Sequence, residues 1–261
     1  MFAKLLKHEM KATAGSIGLL SLAALVMGVL GGFMMRHIVT AAGQKQFDEL
    51  SGILILLYVF VFFGLFAYAL GSELFLAYQF YKRKFTDEGY LTFTLPAHSW
   101  QIFLSSMVNI MVWTLIIGLV TALAIGAILL IGIVGTPVWQ ELSGHGIQFP
   151  DMADVMAEFH PLVILYSIAQ YVSSTVILMT CITLGSVLAK KHKILASIGV
   201  YYGWSLVMGV ITTQLLGDVL YMATELDFTR VYTIETILLL TVSMGGFLLS
   251  CWLMDKKLNL P

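Results

Sequence analysis

Six histidines, His8, His37, His98, His145, His160 and His192, are the first side chains in this sequence to test for chemistry. They are scattered, and no H-E-x-x-H pair sets two ligands one turn apart on a helical face, so the spacing predicts no metal enzyme. No G-x-S-x-G turn is present, and no His with Asp lies near a serine inside an apolar run, so hydrolysis within a membrane lacks its parts. Cys181 and Cys251 fall far apart in apolar runs, which predicts buried packing residues rather than a disulfide or a thiolate metal site. A G-x-x-x-x-G-K-[ST] phosphate loop is also missing, so the chain is not expected to hydrolyse ATP alone, and we expect no enzyme and no cofactor of its own.

Glu73 is the one acidic residue well inside an apolar run, between Gly71 and Leu74. A carboxylate at membrane depth is costly and so marks a functional candidate. If its helix continues to Lys82, Glu73 lies roughly 14 Å from the basic cluster there, in one half of the membrane or its interface. Its roles are then a structural hydrogen bond or ion pair, or a part in substrate passage. Gly28 with Gly32, and Gly199 with Gly203, have the four-residue spacing that lets helix backbones approach in lipid. Both pairs are candidates for packing within the chain or for a dimer interface.

The elements that must hold these residues follow from composition. The chain has 261 residues, 59% hydrophobic and 11% charged, where soluble domains run near one quarter charged. Lipid is the solvent this implies. Apolar runs are found at about 15–35, 52–80, 102–134, 162–188, 194–216 and 234–254, each long enough for a span of about 20 residues. The expected fold is thus all-α and polytopic, with six transmembrane helices in a single domain over residues 1–261. Ahead of them, Phe2, Leu5, Leu6, Met10 and Thr13 recur at helical spacing against Lys4, Lys7, His8 and Lys11, which predicts an amphipathic interfacial helix over 1–13. Those charges also argue against a cleaved secretory signal, so the first span is expected to be retained.

Topology follows from the basic residues, which accumulate in short cytoplasmic loops. With six spans, one side receives Lys4, Lys7, Lys11, Lys82, Arg83, Lys84, Lys190, Lys191, Lys193, Lys256 and Lys257, eleven of the fourteen Lys and Arg. Both termini are therefore expected in the cytoplasm. The other side is acidic, with Asp48, Glu49, Glu141, Asp151, Asp154, Glu158, Asp218, Glu225, Asp227 and Glu235. In its longest loop, 136–161, Asp151 after Pro150 can cap a short helix with Met152, Val155, Met156 and Phe159 on one face. A net charge of −1 gives no attraction to nucleic acid.

The basic cluster at Lys82 to Lys84 leads into Thr86, Asp87, Glu88, Gly89, Tyr90, Leu91, Thr92, Phe93, Thr94, Leu95 and Pro96. Thr86 can cap a short helix that has Asp87 and Glu88 in its first turn. Here the sequence resembles bacterial ABC-2 type permeases, the membrane subunits of ABC exporters, many of which carry a very similar D-E-G-Y-L-T-F-T-L-P stretch between their second and third spans. The six-span layout with an amphipathic N-terminal helix is similar too, although the longer outward loop here precedes the fourth span instead of the sixth. The resemblance implies a permease subunit in the bacterial cytoplasmic membrane, forming half of an export pathway with a second permease copy, identical or sister. ATP and Mg would then act in a separate ABC ATPase subunit.

Residues 81–96 become the expected coupling segment: Asp87 and Glu88 suit polar docking, Tyr90, Leu91 and Phe93 suit an apolar groove, and Gly89 permits a turn. Leu142, Ser143, Gly144, His145 and Gly146 superficially match the ABC ATPase signature, but they fall in an outward loop with no nucleotide-binding fold around them. Aromatics and methionines such as Phe60, Phe62, Phe63, Met107 and Met111 are compatible with an amphipathic peptide, lipid or drug-like substrate, and equally with helix packing. Two rivals stand beside the permease reading. One is an assembly or sensory subunit without transport, and the other is an ion-coupled carrier, for which Glu73 alone is thin support.

Overall fold

The computed structural model describes residues 2–44, 48–86, 88–89, 98–144, 161–189, 191–222 and 228–256. Among these residues the regular structure is entirely helical: α1 (Phe2–Gly43), α2 (Glu49–Phe85), α3 (Ser99–Ile133), α4 (Pro137–Gly144), α5 (Pro161–Leu188), α6 (Lys193–Met222) and α7 (Phe228–Lys256). All but α4 are long and apolar enough to cross a membrane, six spans in all. The chain is an all-α polytopic membrane protein. Leu19, Leu22, Phe60, Leu74, Leu119, Leu195 and Leu206 are well exposed, as expected where the surroundings are hydrocarbon.

The amphipathic stretch and the first span form one helix, α1, of 42 residues and roughly 63 Å. Gly15 does not interrupt it, because one glycine costs only about 1 kcal/mol and the flanking Ala12 and Ala14 favour helix. The amphipathic pattern itself is present: Lys4, Lys7, His8 and Lys11 are exposed, Thr13 is buried and Phe2, Leu5, Leu6 and Met10 are half-buried. α2 begins on an N-cap, where Asp48 Oδ1 accepts from the Ser51 N–H at 3.0 Å and from the Ser51 hydroxyl at 2.5 Å.

The boundary between α3 and α4 is written in three residues. Gly135 adopts φ +77°, the left-handed conformation that ends a helix. Thr136 Oγ1 then accepts from Trp139 N–H at 3.4 Å as N-cap, and Pro137 takes the first helical position. Residues 137–144, expected as part of the outward loop 136–161, thus form a short helix. The helix expected from Asp151 lies outside the described residues.

The chain forms two compact units. The smaller comprises Met10–Leu76 and Val112–Met152. Within it, α1 and α3 approach at their backbones: a methyl group at Gly28 would come within 2.7 Å of Ala124 Cα, and one at Gly32 within 3.0 Å of the Ala127 carbonyl. Gly132 is closed in the same way by Met35. Small residues permit this packing, which in lipid replaces the hydrophobic drive. Gly28 and Gly32 therefore make their close approach to α3 of the same chain, and that face is not open to a second copy. A buried Ser21–Tyr68 hydrogen bond of 2.8 Å ties α1 to α2.

The larger unit comprises Met1–Glu9, Ala77–Met111 and Ala153–Pro261. α5 is its centre and packs along both α6 and α7, which touch each other only slightly. Its buried seam is small and hydroxylated, including Ser173, Thr180, Thr183, Gly185 and Ser186. Thr180, Thr183 and Ser186 donate to carbonyls one turn back at 2.7–2.8 Å, so these three hydroxyls are satisfied within α5 itself. Ser250 Oγ reaches Thr180 at 3.1 Å from α7. A methyl group at Gly185 would lie 2.3 Å from Ser197, which fixes where α6 crosses.

Candidate functional site

Three helical stripes deliver the parts of the site. On α1 the buried positions Glu9, Thr13, Ile17, Ser21, Ala24 and Gly28 recur every three or four residues. On α2, Leu65, Tyr68, Ser72, Leu76, Phe80 and Lys84 do the same, as do Phe103, Ser106, Ile110, Trp113 and Ile117 on α3. Side chains at this spacing share one face. At the ends of the stripes that lie in the larger unit stand three polar groups: Glu9, Lys84 and Ser106.

They meet. Glu9 Oε1 accepts from Lys84 Nζ at 2.8 Å and from the Ser106 hydroxyl at 2.9 Å. Arg83 Nη1 adds a long contact to the Glu9 carbonyl at 3.5 Å. Glu9 and Lys84 are only 6% and 3% exposed, so each ion depends on the other for its counter-charge. Lys84, one member of the basic cluster at 82–84, is a buried anchor of the α2 terminus, because the α2 stripe carries it inward.

The last turn of α2 is held from other directions as well. Lys193 Nζ at the start of α6 donates to the Phe85 carbonyl at 3.3 Å, where a cation meets the negative end of the helix dipole. Phe80 packs edge-on against Phe85 and Phe103, at 5.7 and 6.3 Å, and Phe103 against Phe247 at 5.4 Å. The Ser99 hydroxyl at the start of α3 donates to Asp255 Oδ1 near the end of α7. The segment between α2 and α3 thus emerges from a fixed base.

Of the expected coupling residues, Glu88 is exposed and pairs with Lys82 at 3.2 Å, a solvent-screened contact of small energy. Gly89 is buried and its N–H closes a turn onto the Thr86 carbonyl at 2.8 Å. The Thr86 hydroxyl donates back to the Lys82 carbonyl and so satisfies one of the free carbonyls at the end of α2, while Glu88 and Gly89 just beyond it are again helical. Asp87, Tyr90, Leu91 and Phe93 lie outside the described residues.

The other candidates are placed separately. Glu73 is exposed on α2, next to exposed Leu74, and makes no hydrogen bond or ion pair among the described residues. Gly199 and Gly203 face open space on α6, unlike Gly28 and Gly32. Phe60, Phe62 and Phe63 point away from the chain, each more than half exposed.

A cleft that the sequence reading did not single out opens between α6 and α7, floored by α5, with a volume of about 310 Å³. It exists because α6 and α7 diverge while both hold α5. α5 and α7 run in parallel, as the tilted rings of Tyr166 and Tyr232 lie 5.3 Å apart, Ser173 donates to the Leu239 carbonyl at 3.4 Å and Thr180 meets Ser250. Glu235 lies at the Tyr166 end, and Tyr166 engages its carboxylate. Signals for it were present in Gln170, Ser173 and Ser174 on one span and Glu235 on another, but only the packing brings them to one place. No family model matches this chain, and neither a curated protein nor a solved structure matches it.

Proposed function

We propose that this chain is the permease subunit of an ATP-driven ABC-type exporter in the bacterial cytoplasmic membrane, with both termini and residues 81–96 in the cytoplasm. The observation that carries the reading is the segment 81–96: its D-E-G-Y-L-T-F-T-L-P stretch resembles that of ABC-2 permeases, and it leaves α2 beside the buried Glu9–Lys84 pair. A loop that receives force from an ATPase must be rooted in something stiff. Here the root is the ion pair with Ser106, the Lys193 cap and the Phe80–Phe85–Phe103 cluster, so displacement of the loop moves α2 and α3 as levers instead of fraying their ends.

In this reading two permease copies form the pathway, and ATP with Mg is bound and hydrolysed by two separate ATPase subunits. Glu88 and Asp87 supply polar contacts to the ATPase, while Tyr90, Leu91 and Phe93 fill an apolar groove on it. Gly199 and Gly203, with nothing among the described residues packed against them, are the glycine pair left for a permease–permease contact. The test is purification of the tagged chain from a bacterial membrane in mild detergent. Copurification of a soluble ATP-hydrolysing subunit supports the permease, whereas its consistent absence favours an assembly or sensory subunit. Transport that collapses with a proton or sodium gradient while ATP persists would favour an ion-coupled carrier.

A further inference from the structure

The cleft on α5 combines features that select one kind of ligand. At one level stand the Glu235 carboxylate, the Tyr166 ring and the exposed Gln170 amide, with Thr212 on α6. The Glu235 carboxylate accepts a hydrogen bond from Tyr166, but among the described residues no salt bridge reaches it and Gln170, Trp204 and Ser205 make no hydrogen bond, so acceptor capacity and negative charge remain for a bound molecule. Away from that level the walls become apolar and aromatic: Met208, Leu238 and Leu239, then Ile177, Trp204 and Tyr201. From Thr212 to Tyr201 the cleft runs roughly 16 Å along α6. The hydroxyls along its floor are already satisfied, Ser173 by Leu239 and Ser174 by the Tyr171 carbonyl at 2.9 Å, which leaves the floor without competing demand for a polar ligand.

We infer that this cleft binds an amphipathic cation, a molecule with an ammonium head and a single alkyl or aryl tail. The head sits against Glu235, where a half-buried carboxylate and the aromatic ring of Tyr166 both favour positive charge. The tail lies along Met208, Leu239 and Trp204. An anionic amphiphile of the same length meets the Glu235 charge at its head and is rejected. The cleft as a binding site does not rest on the permease reading; only its identification with the exported substrate does. The same head chemistry is offered by an amine-bearing lipid and by a free amphiphile, and the test separates them.

The chain alone is reconstituted in nanodiscs of phosphatidylglycerol and labelled with a dodecylammonium probe carrying a diazirine in its tail. A twin probe has a hydroxyl in place of the ammonium. Saturable adducts on α6 between Tyr201 and Thr212 are expected with the ammonium probe at a concentration about tenfold lower than with the hydroxyl probe, the factor given by a modest charge pairing. Glu235→Gln should erase that preference and leave hydroxyl labelling unchanged. Gly209→Trp, at a position with open space around it, should fill the cleft and abolish both. Suppression of labelling in phosphatidylethanolamine discs assigns the site to a lipid head, and full labelling there assigns it to a free amphiphile; either result supports the site. Equal labelling by both probes, a preference that survives Glu235→Gln, or adducts spread over exposed α2 would overturn it. Because no ATPase takes part, failure here leaves the permease reading untouched, and an absent ATPase leaves this result untouched.

Discussion

Glu9 shows how a single side chain gains its role from its neighbours. In sequence it interrupts a basic stretch; in the fold it is the counter-ion of Lys84 and the acceptor for Ser106. Removing one member of a buried pair leaves the other ion uncompensated, at a cost of about 3–5 kcal/mol, while replacing both is often near neutral. Glu9→Gln should therefore lower the thermal midpoint in detergent markedly, and Glu9→Gln with Lys84→Met should recover most of the loss. A double variant no better than the single would show that the pair is not what holds the end of α2. Asp48, at an exposed helix cap, carries a pH dependence. Hydrogen bonds from the Ser51 hydroxyl and N–H hold its carboxyl below the usual carboxylate range. A depressed folded value means that the cap is intact above the ordinary Asp range and is lost as pH falls through the lowered value. Amide exchange at Ser51 should rise over that acid interval, and Asp48→Asn should flatten the response.

The helices themselves were readable from apolar runs, and their observed bounds exceed the expected spans mainly by polar turns at their ends, as in α2, which reaches Phe85 beyond Phe80. The glycine spacing at Gly28 and Gly32 announced a close approach, yet could not name the partner, since spacing describes one surface and the choice of α3 depends on Ala124 and Ala127 being small as well. Gly28→Leu should separate α1 from α3 and destabilise the chain by several kcal/mol, since the new side chain meets backbone and cannot be accommodated by a rotamer change. The measurement is thermal unfolding beside Gly199→Leu, which has open space and should unfold like wild type. Gly135, Thr136 and Pro137 are a legible stop, cap and start, but an eight-residue helix is too short for apolar periodicity to announce it. Thr136→Ala should cost α4 about 1 kcal/mol, seen as faster amide exchange at Trp139.

For the whole molecule, the sequence made the class of protein plain because a bilayer imposes one rule on every span: backbone groups bonded internally and apolar side chains outside. The sites were less legible. Lys84 and Ser106 could be placed on buried stripes by counting, but their meeting with Glu9 requires three helices separated by up to 97 positions. The α6–α7 cleft depends on how two helices diverge, which no local pattern encodes. The central claim is that 81–96 couples an ATPase to the spans, and it is tested most directly by measuring ATPase association and transport-coupled hydrolysis in two variants whose membrane insertion is confirmed. Glu88→Lys reverses the exposed charge, and Tyr90→Ala with Leu91→Ala removes apolar anchors. The account predicts that both lose association and coupled turnover while remaining inserted; wild-type association and turnover in both would contradict it.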